Sequence, residues 1–409
     1  MNKIQKLIIV VLVFISQSCS IFIENENQTI KNISIKNTRP IEELYCAKNN
    51  NQFFSKNGKF LLKNIQFQGS LPEQIVQHIL LEIYYNPDSI TDRSRIQIFS
   101  RSKSKNKYFE SINLKAGLLN QLNQFLRNEK SSRSLFELNQ IVLSKIPDNL
   151  LASQSLAKFL TLNKKDIAKN PLLATLFLKG DDTLAPFETF KKIPLNVPKQ
   201  FQNIESINES KLQSFTQDKN TIVCNFDLGK IQEFTSSLTR SENTDAYYFG
   251  KQLNQDEMFT VFISSNLKNP LKNLNQHYLL IGEETSEAVP FCFQEMSHKF
   301  IFTASTEGRD PAQHISHFLD YGLFESENII DLIGHMKFTR HLFLKNPDRL
   351  LFESLKARPE QLSFYYTMNI PLYHMDKIGK ALLFGQFPKR KEATFILDER
   401  GTGEMRCQQ

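Results

Sequence analysis

Two tracts, Phe291-Cys292-Phe293 and Phe300-Ile301-Phe302, restrict the fold more than anything else in the chain. Successive side chains of a strand point to opposite faces, so three consecutive apolar residues need a sheet covered on both sides. Other segments share the period of two. Ile222, Cys224, Phe226 and Leu228 alternate with Val223, Asn225 and Asp227, and Phe259, Val261 and Ile263 alternate with Thr260, Phe262 and Ser264. Tyr278–Gly282 and Val289–Gln294 add two further strand patterns. The short gaps between them predict an antiparallel meander rather than crossover connections. With 34 Phe and no Trp among 409 residues, the chain can cover such a sheet with helices. Only 14 Gly and 15 Pro argue against an all-β barrel with many tight turns.

Before these strands the pattern is helical. Ser70-Leu71-Pro72-Glu73 has the form of a capping box with Pro in the first turn, and Ile75, Val76, Ile79, Leu80 and Ile83 follow on one face. Helices are predicted over 114–128, 133–145, 148–161 with Asp148 as N-cap, and from Pro171. Gly180-Asp181-Asp182, three prolines and a polar stretch mark a linker. In the second half, helices are predicted over 310–322, 326–345 and 348–357, with strand-like Leu362–Met368 and Ala393–Asp398 closing the chain. The expected class is α+β, a helical N-terminal domain followed by an antiparallel-sheet domain with flanking helices. The expected division is 66–180 for the helical domain with a basic patch, 181–220 for a linker and 221–409 for the α+β domain.

The first residues concern location. Asn2, Lys3 and Lys6 precede an apolar run from Leu7 to Ile15, followed by Ser16-Gln17-Ser18-Cys19-Ser20. Nine residues of helix span roughly 14 Å, under half of the ~30 Å hydrocarbon thickness, so a signal peptide over 1–18 is expected rather than a permanent span. Ser18 before Cys19 resembles the lipobox of bacterial lipoproteins, although Ser16 stands where that family usually has Leu. The resemblance implies a cell-envelope protein with Cys19 as its lipid-modified N-terminus, and residues 19–65 become a tether. Ser20 after the cysteine favours the outer membrane by the same resemblance.

Cys46, Cys224, Cys292 and Cys407 remain, an even number in a compartment that permits disulfides. Three pairings exist. Cys46 with Cys407 would tie the ends of the mature chain, and Cys224 with Cys292 would link two strands of one sheet; four separate buried thiols are the alternative. There is no CxxC motif.

Charge is uneven. Ten basic residues between Arg93 and Arg133 face only Glu110 and Glu129, a local net of +8 in a chain that carries +7. Within it, Arg101, Lys103, Lys105 and Lys107 form a candidate anion-binding patch for anionic envelope polymers or lipids; the alternative is a solvated loop. Export makes nucleic acid a poor partner. The sequence does not speak to oligomeric state.

For catalysis, Ser305 ends a strand and precedes Asp310, His314 and His317 on a loop and helix, a context that suits an active site. The two histidines could share a metal with Asp310, His298 or Asp320, but HxxH lacks the glutamate of a metalloprotease helix, so no metal is assigned. Ala312, Ile315, Phe318 and Leu319 mark that helix's buried face, which places both histidines on its half-solvated flank. Ser155-Leu156-Ala157-Lys158 matches a penicillin-recognition string without its partner motifs, and Glu283-Glu284 and Asp181-Asp182 read as turn residues. Without GxGxxG or a Walker loop, no cofactor is expected. The leading reading is a lipid-anchored binding or assembly protein. An envelope hydrolase using Ser305 and its neighbours, or a carrier with a Phe-lined cavity, is the alternative.

Overall fold

A computed structural model describes residues 52–55, 65, 67–103, 105–111, 116–201, 210–215, 221–226, 245–254, 256–265, 274–282, 288–308, 311–320, 322–339, 342–346, 349–352, 363–364, 366–369, 372–374, 379–397 and 404–407. The expected signal peptide, Cys19 and Cys46 lie outside them, as do Asp310 and Glu283-Glu284. The helices are α1 (Leu71–Tyr85), α2 (Leu118–Asn128), α3 (Leu135–Lys145), α4 (Gln154–Leu162), α5 (Lys164–Lys169), α6 (Pro171–Phe177), α7 (Pro311–Asp320) and α8 (Ile329–Thr339). The first nine strands are β1 (Gln52–Ser55), β2 (Arg95–Ser102), β3 (Lys105–Ser111), β4 (Asn149–Leu151), β5 (Leu178–Lys179), β6 (Asp182–Thr183), β7 (Thr189–Lys191), β8 (Ser210–Phe215) and β9 (Ile222–Cys224). After them come β10 (Asp245–Gln252), β11 (Glu257–Ser265), β12 (Phe291–Met296), β13 (Lys299–Gly308), β14 (Leu342–Asn346), β15 (Arg349–Phe352), β16 (Leu372–His374), β17 (Gly379–Phe387), β18 (Glu392–Leu397) and β19 (Glu404–Cys407).

The protein is an α+β fold with antiparallel main sheets and most of its helices in the N-terminal half. A seven-stranded sheet runs β19-β1-β10-β11-β2-β3-β8, and a five-stranded sheet runs β18-β17-β13-β12-β9. Strand alternation divides the core into three layers. Along β11, Phe259, Val261 and Ile263 face helices α1 to α3, while Met258 and Phe262 face the second sheet. Along β13, Phe300, Phe302 and Ala304 face the first sheet, whereas Ile301 faces α7 and α8. The order is therefore helix, sheet, sheet, helix. The two-sided apolar strands are covered by helices on one side only, and the other side is a second sheet.

Between the sheets the filling is aromatic. Phe99 lies within 4.8–6.1 Å, ring centre to ring centre, of Phe291, Phe293, Phe300 and Phe302. Gly385 of β17 permits the close approach of α8, because a Cβ there would lie 2.2 Å from a Leu332 methyl carbon. Cys224 of β9 stands opposite Cys292 of β12 and is joined to it by a disulfide. Cys407 stands opposite Gln52 in the first sheet.

Local departures from the sequence reading have physical causes. Residues 149–151 are strand β4, paired with β7, so α4 begins later with Ser153 as its N-cap, accepting from the Leu156 N–H at 3.0 Å. Asp148 is instead ion-paired to Lys192 at 3.0 Å. Arg349–Phe352 and Leu342–Asn346 are paired strands rather than helix, so the predicted helices over 326–345 and 348–357 shrink to α8. Tyr278–Gly282 holds a single bridge, Leu274 to Leu280. Gln52–Ser55, placed in the tether by composition, is the strand between β10 and β19. The hairpin β2–β3 lies in the tract assigned to a helical domain, and the seven-stranded sheet draws strands from both sides of the expected linker.

Candidate functional site

Ser305 and His314 are brought together. β13 ends after Ser305 with a register shift between Thr306 and Gly308, and α7 opens on Pro311, whose missing N–H costs nothing there. In β13, Ile301, Thr303 and Ser305 share the face turned toward the helices, so the Ser305 hydroxyl points at α7. On α7, His314, Ile315 and Phe318 share the buried face, and the His314 ring packs 5.1 Å from Phe318. Ser305 Oγ lies 3.0 Å from His314 Nδ1.

A hydroxyl within hydrogen-bond reach of an imidazole is the minimal nucleophile and base arrangement. Its setting differs from an active site: both residues have 0% exposure. Nothing the size of a substrate reaches the oxygen while this layer is closed. The half-solvated flank expected for His314 is therefore corrected, because the imidazole finds its partner on the sheet beneath. His317 is on the same helix, its side chain outside the described residues. His298 sits seven residues before Ser305, roughly 23 Å along the strand, beside Glu327 at 3.9 Å. It cannot join His314 around one ion. Asp320 is exposed at the end of α7, and among the described residues no cluster of three metal-ligating side chains forms.

The basic tract is divided by strand geometry. Arg101 shares the inner face of β2 with Phe99 and is buried: it donates to Gln386, reaches Glu295 at 3.2 Å, and stacks over Phe300 at 4.8 Å. Asn106 also donates to Glu295. Arg101 is thus a tie between the two sheets and not part of a surface patch. Lys107 pairs with Glu129 at 2.6 Å, and Arg95 with Glu110 at 3.3 Å. Lys103 and Lys105 remain exposed at the hairpin turn, where Lys103 adopts φ +47°.

Other buried polar groups are structural. Glu73 accepts from the backbone N–H of Ser70 and Arg133 and from the hydroxyls of Ser131 and Ser132, fastening the start of α1 to the α2–α3 loop. Burial raises its pKa, but these hydrogen bonds outweigh burial and hold the carboxyl below its usual value. His78 of α1 lies between Phe67 and Phe259, and burial, then the nearby Lys251, push its pKa well below the usual histidine value. Lys158 is exposed on α4, Asp181 is exposed in the β5–β6 turn, and Asp182 is exposed at the start of β6. Among the described residues, no helix is long and apolar enough to cross a membrane.

The interior of the sandwich also holds a tie that the sequence reading missed. Gln97 donates to Tyr108 Oη at 2.8 Å and to the Val289 carbonyl at 3.1 Å, and accepts from the Val289 N–H at 2.6 Å. Burial drives the Tyr108 pKa upward, and Glu110 adds to it.

No family model matches the chain, and no curated protein matches it. Among solved structures it is similar to those titled LmbA2991T421A and LmbA2991HD, each at 8% identity with a TM-score of 0.58, over 90% of this chain and 99% of that one. A cephalosporin acylase from Bacillus halodurans superposes more loosely, at 8% identity and a TM-score of 0.48, over 88% of this chain and 96% of that one. At such identities the LmbA likeness concerns the four-layer fold alone.

Proposed function

We propose that this chain is a lipid-anchored protein of the cell envelope, acylated on Cys19 and favouring the outer membrane, whose folded body binds a partner rather than turning over a substrate. The observation that carries the non-catalytic reading is the complete burial of Ser305 and His314, two of the four residues, with Asp310 and His317, that the hydrolase alternative names. A nucleophile must touch its substrate, and this one touches its own core. The carrier alternative loses support from the aromatic layer, where the rings of Phe99, Phe291, Phe293, Phe300 and Phe302 fill the space a carrier would keep open.

Mass spectrometry of the mature N-terminal peptide tests the anchor. Diacylglycerol on the Cys19 sulfur is expected, and an intact Met1 on protein in the soluble fraction overturns the reading. Turnover of ester or amide substrates that vanishes in folded Ser305→Ala overturns the binding assignment.

A further inference from the structure

Four hairpin turns gather at one end of the two-sheet sandwich. In the first sheet, Ser102 lies opposite Lys105 of β3 and Glu257 of β11, so the β2–β3 and β10–β11 turns are neighbours. The Lys103 N–H donates to the Asp256 carbonyl at 3.1 Å, and Ser102 Oγ to Glu257 at 3.0 Å. Across the interior, Arg101 meets Glu295 near the end of β12 and Gln386 near the end of β17. The β12–β13 and β17–β18 turns therefore close over the same end. The last of these is Pro388-Lys389-Arg390-Lys391, exposed throughout and completed by Lys391 at φ +54°.

Fold topology thus brings Lys103 and Lys105 of one sheet beside Lys389, Arg390 and Lys391 of the other, although the tie between them joins residues 285 apart in sequence. Acidic groups at this end are largely committed. Glu295 is held by Arg101 and Asn106, Glu327 by Lys299 at 3.2 Å, and Glu129 by Lys107. Glu257 accepts from Ser102 and Asn254, and Glu392 is half-buried. Asp256 is exposed. The five exposed cations outnumber these remaining carboxylates.

A second observation concerns strand direction. Phe53 pairs with Lys251 and Ser55 with Phe249, and β10 runs toward the β10–β11 turn, so antiparallel β1 begins at the cationic end.

We propose that this end of the sandwich lies against an anionic bilayer surface, its two basic turns contacting phosphate groups of anionic phospholipids while the Cys19 lipid holds the chain at the same surface. The orientation rests on the lipid-anchor reading; the cation cluster does not. Ammonium and guanidinium groups near such a surface act additively and are screened by salt.

Phosphatidylglycerol and phosphatidylcholine vesicles are the probes, with the mature chain carrying Cys19→Ser so that no acyl chain contributes. Co-sedimentation with phosphatidylglycerol vesicles is expected, falling steeply between about 50 and about 300 mM salt. No binding to pure phosphatidylcholine is expected. Lys389→Glu/Arg390→Glu/Lys391→Glu should weaken binding at least about tenfold, and Lys103→Glu/Lys105→Glu by less, since it reverses fewer charges. A thermal melt checks that each variant folds. Undiminished binding by both folded variants overturns the proposal, and so does retention on soluble heparin with none on vesicles. An unacylated Cys19 would sink the anchor while leaving the vesicle result to stand on its own.

Discussion

The two faces of the five-stranded sheet treat polar groups differently. Toward the other sheet it meets the buried Arg101 with the half-buried Glu295 and the face of Phe300; toward the helices it buries the Ser305–His314 hydrogen bond. A buried charge requires a partner of opposite sign and further hydrogen bonds, and Arg101 has both through Glu295, Gln386 and the face of Phe300. A hydroxyl and a neutral imidazole carry no net charge, so their shared hydrogen bond needs no counter-ion. The difference teaches that the sheet–sheet layer carries orientation, since Arg101 and its partners fix one sheet over the other, while the sheet–helix layer carries local docking of one helix.

That contrast predicts unequal costs. Phe99→Ala removes the ring common to four aromatic contacts and should destabilise by about 3–5 kcal/mol in a urea titration. A loss under about 1 kcal/mol would mean that the sheets repack freely. Arg101→Ala should cost about 2 kcal/mol because it leaves Glu295 with Asn106 but no cation and removes the donor to Gln386, and Arg101→Met/Glu295→Leu should recover part of that loss. Equal losses in the single and double variants would break the claim that the pair is coupled.

The alternation that defines both layers was legible before the structure: β11, β12 and β13 fall on the predicted strands, and α1 follows its capping box. Arg101 has the parity of Phe99, which marks the inner face, but it sits in a basic run whose density has the form of a surface patch. Long-range pairing was not legible. Asp348-Arg349-Leu350-Leu351-Phe352 has the sequence of a capped helix, and pairing with β14 and β16 is what makes Arg349–Phe352 a strand. The spatial meeting of Ser305 with His314 could be guessed from a strand–loop–helix run. Their burial could not, because it depends on α7 packing against β17 and α8, elements distant from Ser305 in sequence. The basic run Lys389-Arg390-Lys391 was visible, but its neighbourhood with Lys103 exists only in the folded chain.

The third layer, between α1 and the seven-stranded sheet, sharpens the comparison through pH. His78 is held neutral by burial and Lys251, with its folded pKa far below the unfolded value of 6.5. The unfolded chain therefore binds a proton that the folded chain refuses, and stability should fall as pH drops below about 6.5. Glu73 has the opposite partner chemistry but the same sign. Its lowered folded pKa contributes stability above the unfolded value of 4.5, lost as pH falls through the folded one. His78→Phe should flatten the slope from about pH 6.5 downward, because the folded imidazole still refuses the proton well below that pH. Glu73→Gln should leave the slope above about pH 5 unchanged and flatten it only around and below about pH 4.5. An unchanged slope in His78→Phe would mean that His78 is protonated in the folded protein.

The smallest effect is expected at the pair that first suggested catalysis. Ser305→Ala removes one hydrogen bond between groups that are not exposed, and the vacated space is a single oxygen wide, so the cost should be about 1–2 kcal/mol. His314→Leu removes the other partner and leaves the Ser305 hydroxyl in a layer of Ile315, Phe318 and Leu383. Because both single changes remove the same Ser305–His314 contact, the double variant Ser305→Ala/His314→Leu should be more stable than the sum of the single losses implies. Strict additivity in urea titrations would show that the hydroxyl and the ring act independently, and the sheet–helix layer would then lack the docking contact that distinguishes it from the layer between the sheets.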